Sequence, residues 1–386
     1  MKILATTYAH PDFLPPTINA IREMSKSFDR VIVISRNLSD AKVDFDKNVI
    51  QKVSGRYQHV RDSELAPLHK KVQSFFQYVS LLRRSINLYK PEVVVVYDAV
   101  PLFAYWLVLK LISCKPLLWY HNHDTTDFSQ LRKYSISWWA AKYENKILAE
   151  SVNIFSLPSV ERKAFFQMDK FKGEFFFLPN FPSISFYGPF YEPKKLGDSA
   201  IKIIFQGSIG EGHGLENIAS LLNSKIEGRP IELVIKGWIR DENFKTKMVS
   251  IAESVGSADK LHFVPYGPYK DLPLTTRECH IGIGIHSLTN DLHTTLAKAS
   301  NKLYEYAALG LPIIVYDSEH YRDHLKKFDW VFFSSDDPES LSKSIRLIVI
   351  NYDELSRHAH ESFMKELNFE YHFNAVVKYL HATQKK

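Results

Sequence analysis

Val93–Tyr97 reads VVVVY, and Val31–Ser35 reads VIVIS. Uninterrupted β-branched and aromatic runs of this length suit strands buried on both faces, as in a parallel sheet. A strand with one wet face would alternate instead. Working outward, short apolar runs recur at Lys2–Thr6, Leu117–His121, Asn153–Leu157 and Phe175–Leu178. Between them Leu14–Phe28, Leu68–Tyr89 and Leu131–Glu150 carry helical spacing. Strand alternating with helix predicts a doubly wound α/β sheet.

The rhythm breaks at Pro179–Ser199, PNFPSISFYGPFYEPKKLGDS, where four Pro and two Gly read as a linker. It restarts at Ile201. Strands are expected at Lys202–Gln206, Glu232–Lys236, Leu261–Val264, Ile281–Ile285, Ile313–Tyr316 and Val331–Phe333. Helices are expected at Leu215–Asn223, Asp241–Val255 and Lys302–Leu309. The chain therefore divides into a Rossmann-like domain over 1–180 and a second over 200–367. An amphipathic terminal helix over 368–386 packs on one of the two, with a return onto the first as the expectation. Tandem domains of this kind bind ligands at the carboxyl ends of their strands, so the expected site is a central cleft that both domains face.

Composition narrows the function classes. The 386 residues include 26 Phe, 20 Tyr and 6 Trp, enough for full cores and incompatible with disorder. With 49 basic and 43 acidic residues the net charge is +6, which suits an anionic ligand or membrane face and is far from a nucleic-acid tail. Nucleic acid is not an expected partner. Cys114 and Cys279 are far apart and form no ligand spacing, so a reducing compartment fits. The start, MKILATTYAH, lacks the apolar core of a signal peptide. The most hydrophobic stretch, Ala99–Leu109, is too short to span a bilayer. The expectation is a cytoplasmic protein, with peripheral contact at the inner membrane face as an option. Leu68–Tyr89 mixes basic and aromatic residues, and reads either as a helix lying on an anionic membrane or as an ordinary amphipathic core helix.

Two segments carry chemistry. Phe205–Leu215, FQGSIGEGHGL, ends a strand at Gln206 and places glycines at 207, 210, 212 and 214 before a helix. Glycines let backbone N–H groups approach phosphate, and a helix N-terminus adds favourable dipole. A plain glycine-rich turn is the competing reading. Ala299–Val315, ASNKLYEYAALGLPIIV, lets Asn301 cap a helix that Gly310 ends. Lys302 and Glu305 stand three apart near its start: a phosphate ligand and a ribose acceptor, or a surface ion pair.

SNKLYEYAALGLPIIV strongly resembles the nucleotide-binding segment of retaining GT-B-fold glycosyltransferases of family four. That family carries two glutamates separated by seven residues; the second matches Glu305, and the first falls at Ala297. Lys302 resembles a variant of bacterial polysaccharide members. FQGSIGEGHGL resembles the family's glycine-rich turn, with Ser208 and His213 where Arg and Lys are usual. LVIKGW (Leu233–Trp238), HFVPYGPYKDL (His262–Leu272) and HIGIGIHS (His280–Ser287) resemble its glycine turn, base-binding loop and donor-site strand. In the first half VVVVYDA, LLWYHNHD and LPNFP resemble an acceptor-side strand, a His–acid pair aligned on His123, and an interdomain turn.

The resemblance implies a hexosyl transfer from a UDP- or GDP-linked sugar to a glycan or lipid-linked acceptor, with no cofactor, no metal and no protein nucleophile, in surface polysaccharide or glycoconjugate synthesis. It assigns phosphates to Lys302 and the 207–214 turn (Gly207, Ser208, Gly210, His213, Gly214), with Lys236 and Gly237 beside them. Glu305 would hold ribose, and Asn301 and Tyr266 complete the donor side. His123 would orient the sugar, with His10, Asp98, His121 and Asp124 on the acceptor side. His121, His123 and Asp124 also spell HxHD, a metal-like spacing with no further ligands to complete it. Asp44–Phe45–Asp46 resembles a DxD motif but sits in a charged, solvent-exposed loop. A nucleotide-sugar epimerase and a non-catalytic nucleotide-sugar or glycan binder are the rivals. A dehydrogenase is disfavoured, because the first strand runs into TTYAHPDF without glycines.

Overall fold

The structure is a computed structural model, and it describes all residues except 39–42, 126, 198, 240, 287–295 and 384–386. The chain splits into one unit of Met1–Asn180 with His372–Lys386 and another of Phe181–Tyr371.

The first unit is a parallel sheet ordered β3-β2-β1-β4-β5-β6-β7. Its strands are β1 Lys2–Thr6, β2 Arg30–Arg36, β3 Val49–Ser54, β4 Val93–Tyr97, β5 Leu117–His121, β6 Ile154–Leu157 and β7 Glu174–Phe177. The valine run of β4 is wholly buried, as a strand covered on both faces requires. β3 carries no such run: its VIQKVS is broken by Gln51 and Lys52 and exposes them with Val53, as an edge strand can, which hides it from an apolar-run reading.

Helix α1 is Pro15–Ser27, α2 is Leu68–Tyr89, α3 is Ala99–Val108 and α4 is Ile136–Ser151. α2 buries Phe75, Tyr78, Leu82 and Ile86 at helical spacing. The apolar stretch at 99–109 is thus α3, a helix of the core. α4 starts five residues later than the apolar pattern did, because the Ser135 hydroxyl caps it by accepting from the Trp138 N–H at 3.1 Å.

The second unit has β8 Ile201–Ile209, β9 Lys225–Ile226, β10 Arg229–Ile239, β11 Leu261–Pro265, β12 Ile281–Gly284, β13 Ile313–Tyr316 and β14 Val331–Ser334. Its parallel order is β11-β10-β8-β12-β13-β14, with β9 antiparallel on β10. The β9–β10 turn has Glu227 and Gly228 both at positive φ, 49° and 78°, the conformation a two-residue hairpin favours. Helix α5 is Leu215–Ser220, α6 is Asn301–Ala308 and α7 is Phe369–Thr383.

Two expectations are corrected. The stretch read as a linker supplies core instead: Phe181, Tyr187 and Leu196 are buried in the second unit, and Ile184–Tyr187 is helical. The first strand of this unit does not end at Gln206. β8 pairs with β10 through Gly207–Gly237 to Ile209–Ile239, so Gly207 and Ser208 are strand residues. Along α7 the chain re-enters the first unit, where Phe373 meets Trp119 and Tyr379 meets Phe176.

Gly207 and Gly237 both hold positive φ, 128° and 147°. A Cβ on Gly237 would lie 1.9 Å from the Gly207 carbonyl oxygen, a contact that backbone cannot yield to. Gly210, by contrast, has nothing within 4 Å of its Cβ position. Gly237→Ala should therefore lower the melting temperature by more than about 6 °C, while Gly210→Ala leaves it nearly unchanged. Differential scanning calorimetry checks both. Equal, small shifts would mean the strands part without cost.

Candidate functional site

Polar residues gather at the carboxyl ends of the strands in each unit. In the first unit β4 ends in Tyr97 and turns at Asp98, which holds φ 67° although it is not glycine. Such a backbone is strained by roughly 1–3 kcal/mol and must be held by its surroundings. Here it is held from both sides. The Asp98 N–H donates to the His121 carbonyl at 2.9 Å. Its Oδ1 accepts from the backbone N–H of His123 at 2.7 Å and of Asp124 at 3.3 Å. Oδ2 lies 3.5 Å from His123 Nδ1. Asp98 thereby fixes the turn that carries HNHD.

His123 is buried and stacks on Tyr97, with centroids 4.9 Å apart at 17°. His121 meets it edge-on at 4.4 Å and shares the Ser156 hydroxyl with Trp119, each at 2.7 Å. Burial, with His123 and Arg162 nearby, holds the His121 ring well below the usual histidine range, so it is neutral. The Tyr97 hydroxyl is buried with no hydrogen-bond partner among the described residues. Asp98, His121 and His123 are thus brought together as expected of one site. Asp124 is exposed, 3.9 Å from the buried Arg162, whose guanidinium also donates to the His123 carbonyl. His10 instead closes a local turn with Asp12, 3.1 Å away. The Asp44–Asp46 loop is exposed, and Asp46 accepts from the Ser25 hydroxyl.

Glu144 went unread, because in sequence it is one carboxylate on an amphipathic helix. In the structure it accepts from the Tyr120 hydroxyl beside Asn122, behind the HNHD turn. Burial pushes its pKa up to about 7.

In the second unit the glycine pair lets another side chain in. Lys302 Nζ would stand 3.3 Å from a Cβ on Gly207, and it sits 4.3 Å above the Phe205 ring. Burial pulls its pKa down to about 8, against the opposing pull of Glu305. No ion pair to Lys302 occurs among the described residues. An ammonium in this position is poised for an anion.

Glu305, one turn on, is 4 % exposed. That excludes the surface ion pair. Its Oε2 accepts from Gln206 Nε2 at 2.6 Å and its Oε1 from the Tyr269 hydroxyl at 3.2 Å, with Tyr187 alongside. Gln206 is in turn held by the Thr276 hydroxyl at 2.7 Å. Desolvation raises the Glu305 pKa, and these donors oppose the rise. Gln206, Tyr269 and Tyr187 were missed. The one signal was a glutamine ending the otherwise apolar run IKIIFQ.

The other candidates divide. The Ser208 hydroxyl is buried without a partner among the described residues. Gly214, at φ 68°, opens α5 where a Cβ would crowd Asp336 and Ile285. His213 is committed to the protein: Nδ1 lies 3.1 Å from the Ile285 carbonyl and the ring 4.5 Å from Phe205. Lys236 is buried next to β8, with Asp271 as its opposing charge. Tyr266 is 60 % exposed in the loop after β11. Asn301 does not cap α6. Ser300 holds the cap position without a side-chain bond, and Asn301 is the first helical residue. Ala297 is buried, and its carbonyl accepts from the Tyr304 hydroxyl. Ser287, at the end of the HIGIGIHS segment, lies outside the described residues.

Residues 192–362 match the family model of glycosyl transferases group 1. No curated protein sequence matches the chain. Among solved structures, a sucrose-phosphate synthase from Thermosynechococcus elongatus aligns with a TM-score of 0.68 at 11 % identity, covering 100 % of both chains. Alr3699/HepE from Anabaena, in complex with UDP and glucose, gives 0.69 at 10 %, covering 99 % of this chain and 100 % of that one. A putative UDP-N-acetylglucosamine 2-epimerase from Listeria monocytogenes gives 0.59 at 12 %, covering 100 % of this chain and 95 % of that one. At these identities the likeness is one of fold: two Rossmann-like domains of the GT-B kind, as the resemblance to family-four-like glycosyltransferases implied.

Glu144 provides a pH test. Its folded pKa of about 7 lies above the ordinary glutamate range, so the ionised form is the disfavoured one. The cost is absent below the unfolded pKa and complete above pH 7, where it reaches about 2–3 kcal/mol. Glu144→Gln keeps an acceptor for Tyr120. It should raise the melting temperature by about 5 °C at pH 8, with the gain shrinking at pH 5. Thermal melts at both pH values check this, and an equal shift at both would refute the buried-ionisation account.

Proposed function

We propose that the chain is a glycosyltransferase that moves a sugar from a nucleotide-sugar donor to a glycan or lipid-linked acceptor, with retention of configuration. The observation that carries this reading is Lys302. Its ammonium is desolvated against Gly207 and Phe205, has no carboxylate bonded to it among the described residues, and lies within the matched segment. In low dielectric a fixed cation of this kind stabilises the charge that grows on a departing diphosphate. The backbone of residues 207–214, the Ser208 hydroxyl and Lys236 supply the remaining stabilisation.

Glu305 serves ribose. A carboxylate accepts about four hydrogen bonds, and Gln206 and Tyr269 use two. Their bonds fix the carboxylate before the nucleotide arrives. His123, held by Asp98 and stacked on Tyr97, orients the sugar. The acceptor hydroxyl attacks from the face that the diphosphate leaves, so the anomeric configuration is kept. This chemistry asks for no protein nucleophile and no divalent metal. The complexes of the Anabaena protein make UDP the nucleotide to try first. The Listeria neighbour keeps an epimerase as the second reading, since it shares the fold.

UDP binding measured by calorimetry tests the phosphate role. An ammonium with a pKa of about 8 loses its charge as pH rises through that value, so affinity should be highest below pH 8 and fall above it. Lys302→Met should weaken UDP about ten- to a hundredfold and flatten the pH profile. A wild-type profile that stays flat from pH 7 to 9 would remove Lys302 from the site.

The ribose and sugar roles separate by variant. Glu305→Gln should cost UDP about tenfold, whereas Tyr269→Phe, which removes only the protein-side bond, should cost little. Equal losses would make Glu305 a structural hub alone. His123→Ala should lower turnover more than UDP affinity. UDP release from UDP-sugars, assayed with and without added glycan and in EDTA, distinguishes the readings. Acceptor-dependent release that survives EDTA is the expected result. An epimerase would interconvert the sugar without acceptor, and a binder would release nothing.

A further inference from the structure

We propose that the acceptor carries an anionic group, a carboxylate or a phosphate, and that Arg36 at the carboxyl edge of the first unit's sheet holds it. The word acceptor rests on the glycosyltransferase reading; the anion site itself does not. Arg36 is the last residue of β2 and is half-buried. Its guanidinium carbon lies 4.4 Å over the ring of Tyr8, just past the end of β1. Tyr8 is fixed in turn by α2, where Phe75 and Tyr78 meet it edge-on with centroids 5.8 and 5.1 Å away. The Tyr78 hydroxyl is itself bonded to Thr6 of β1. The plane of the guanidinium is therefore set by a ring that two others hold in place.

What this arginine lacks is an answering charge. Its Nη2 donates to the buried Ser63 hydroxyl at 2.7 Å, and no carboxylate pairs with it among the described residues. Asp62 and Glu64 flank Ser63 in sequence, but both are exposed and neither forms an ion pair with Arg36. Arg162 shows how the same unit treats a structural arginine: it is buried, donates to the His123 carbonyl and has Asp124 3.9 Å away. Arg36 has one neutral hydroxyl and an aromatic face, which leaves most of its N–H fork unused. Stacking occupies the face of a guanidinium and not its edge. That edge is the part that matches a carboxylate or phosphate with two parallel hydrogen bonds.

Place decides what the anion belongs to. Doubly wound sheets bind ligands beyond the carboxyl ends of their strands. In the order β2-β1-β4-β5, Arg36 stands three strand spacings, roughly 14 Å, from the end of β5, whose turn carries His123. The segment from β1 to α1 joins the two points: Tyr8 lies under Arg36, and Thr17 Oγ1 is 3.5 Å from His123 Nε2. The anion thus sits on the same sheet edge as His123 but well away from it, which suits a substituent or linkage group of the acceptor rather than its reacting hydroxyl. The donor diphosphate, in the proposed reaction, belongs to Lys302 in the second unit.

Calorimetric titration of the full chain in excess UDP, which occupies the Lys302 site, compares two matched pairs of probes. One is a hyaluronan tetrasaccharide and its carboxyl-reduced form; the other is geranyl phosphate and geraniol. At least one anionic member should bind about tenfold more tightly than its neutral partner, and the pair that shows the preference tells an acidic glycan from a lipid-linked phosphate. Arg36→Gln should weaken that anionic probe about ten- to a hundredfold and leave its neutral partner unchanged. Arg36→Lys keeps the charge without the fork or the stack, and should recover only part of the loss. Circular dichroism and UDP affinity, both expected to match wild type, establish that the variants are folded. Equal binding within both pairs overturns the proposal, as does a preference that Arg36→Gln leaves intact. A chain with the Arg36-dependent preference that releases no UDP from UDP-sugars keeps the anion site and loses the glycosyltransferase reading. A chain that glycosylates neutral glycans and shows no charge preference keeps that reading and loses this proposal.

Discussion

Two glycine backbones touching across adjacent strands govern the second unit. β8 and β10 can run side by side to Ile209 and Ile239 only because Gly237 has no Cβ to meet the Gly207 carbonyl oxygen. The same missing atom on Gly207 opens the space beside which Lys302 places its ammonium. Register, strand length and the position of the Lys302 ammonium thus follow from this pair of glycines. A side chain at Gly237 would part the strands, and one at Gly207 would crowd the Lys302 ammonium. The sequence signal for this condition was a glycine-rich turn, which describes the residues but not their work: these two glycines are parts of strands.

Glu305 shows how the next layer is built. A buried carboxylate is tolerated only when its oxygens are bonded. Gln206 from β8 and Tyr269 from the loop beyond β11 supply those bonds, and Thr276 fixes the glutamine. Three elements distant in sequence are tied to one side chain on α6. Asp98 has the same place in the first unit. Its strained backbone is tolerated because its carboxylate bonds two N–H groups of the HNHD turn. In each unit one acid orders a loop at the carboxyl edge of the sheet, and chemistry-bearing side chains are held by that order.

What was readable before the structure divides along the same line. Strands that lie between two layers announce themselves by apolar runs, and β1, β4, β5 and β13 keep the boundaries that the runs indicated. β3 and β9 do not, since an edge strand and a two-residue hairpin arm have no need of apolar runs. Lys302, Glu305, Asp98 and His123 were singled out because local spacing or a family motif marks them. Gln206, Tyr269, Tyr187 and Glu144 were not, since their roles exist only through partners dozens of residues away. Asn301 was misplaced for a related reason: an asparagine beside a helix start reads as a cap, yet the backbone had already turned helical at Asn301.

The net charge of +6 conceals two uses of basic residues that differ in physics. Lys302 acts alone. Half-buried, with a pKa lowered to about 8, it would attract an anion strongly over a few ångströms, because little solvent intervenes. The exposed lysines and arginines, Lys70, Lys110 and Lys133 among them, stand in water instead. Each remains solvated, and salt screens it beyond about 8 Å, so any one of them is weak and dispensable. Net charge reports neither case. The burial of one ammonium and the distribution of the carboxylates do, since a cation directs binding only where no anion of the protein has answered it first.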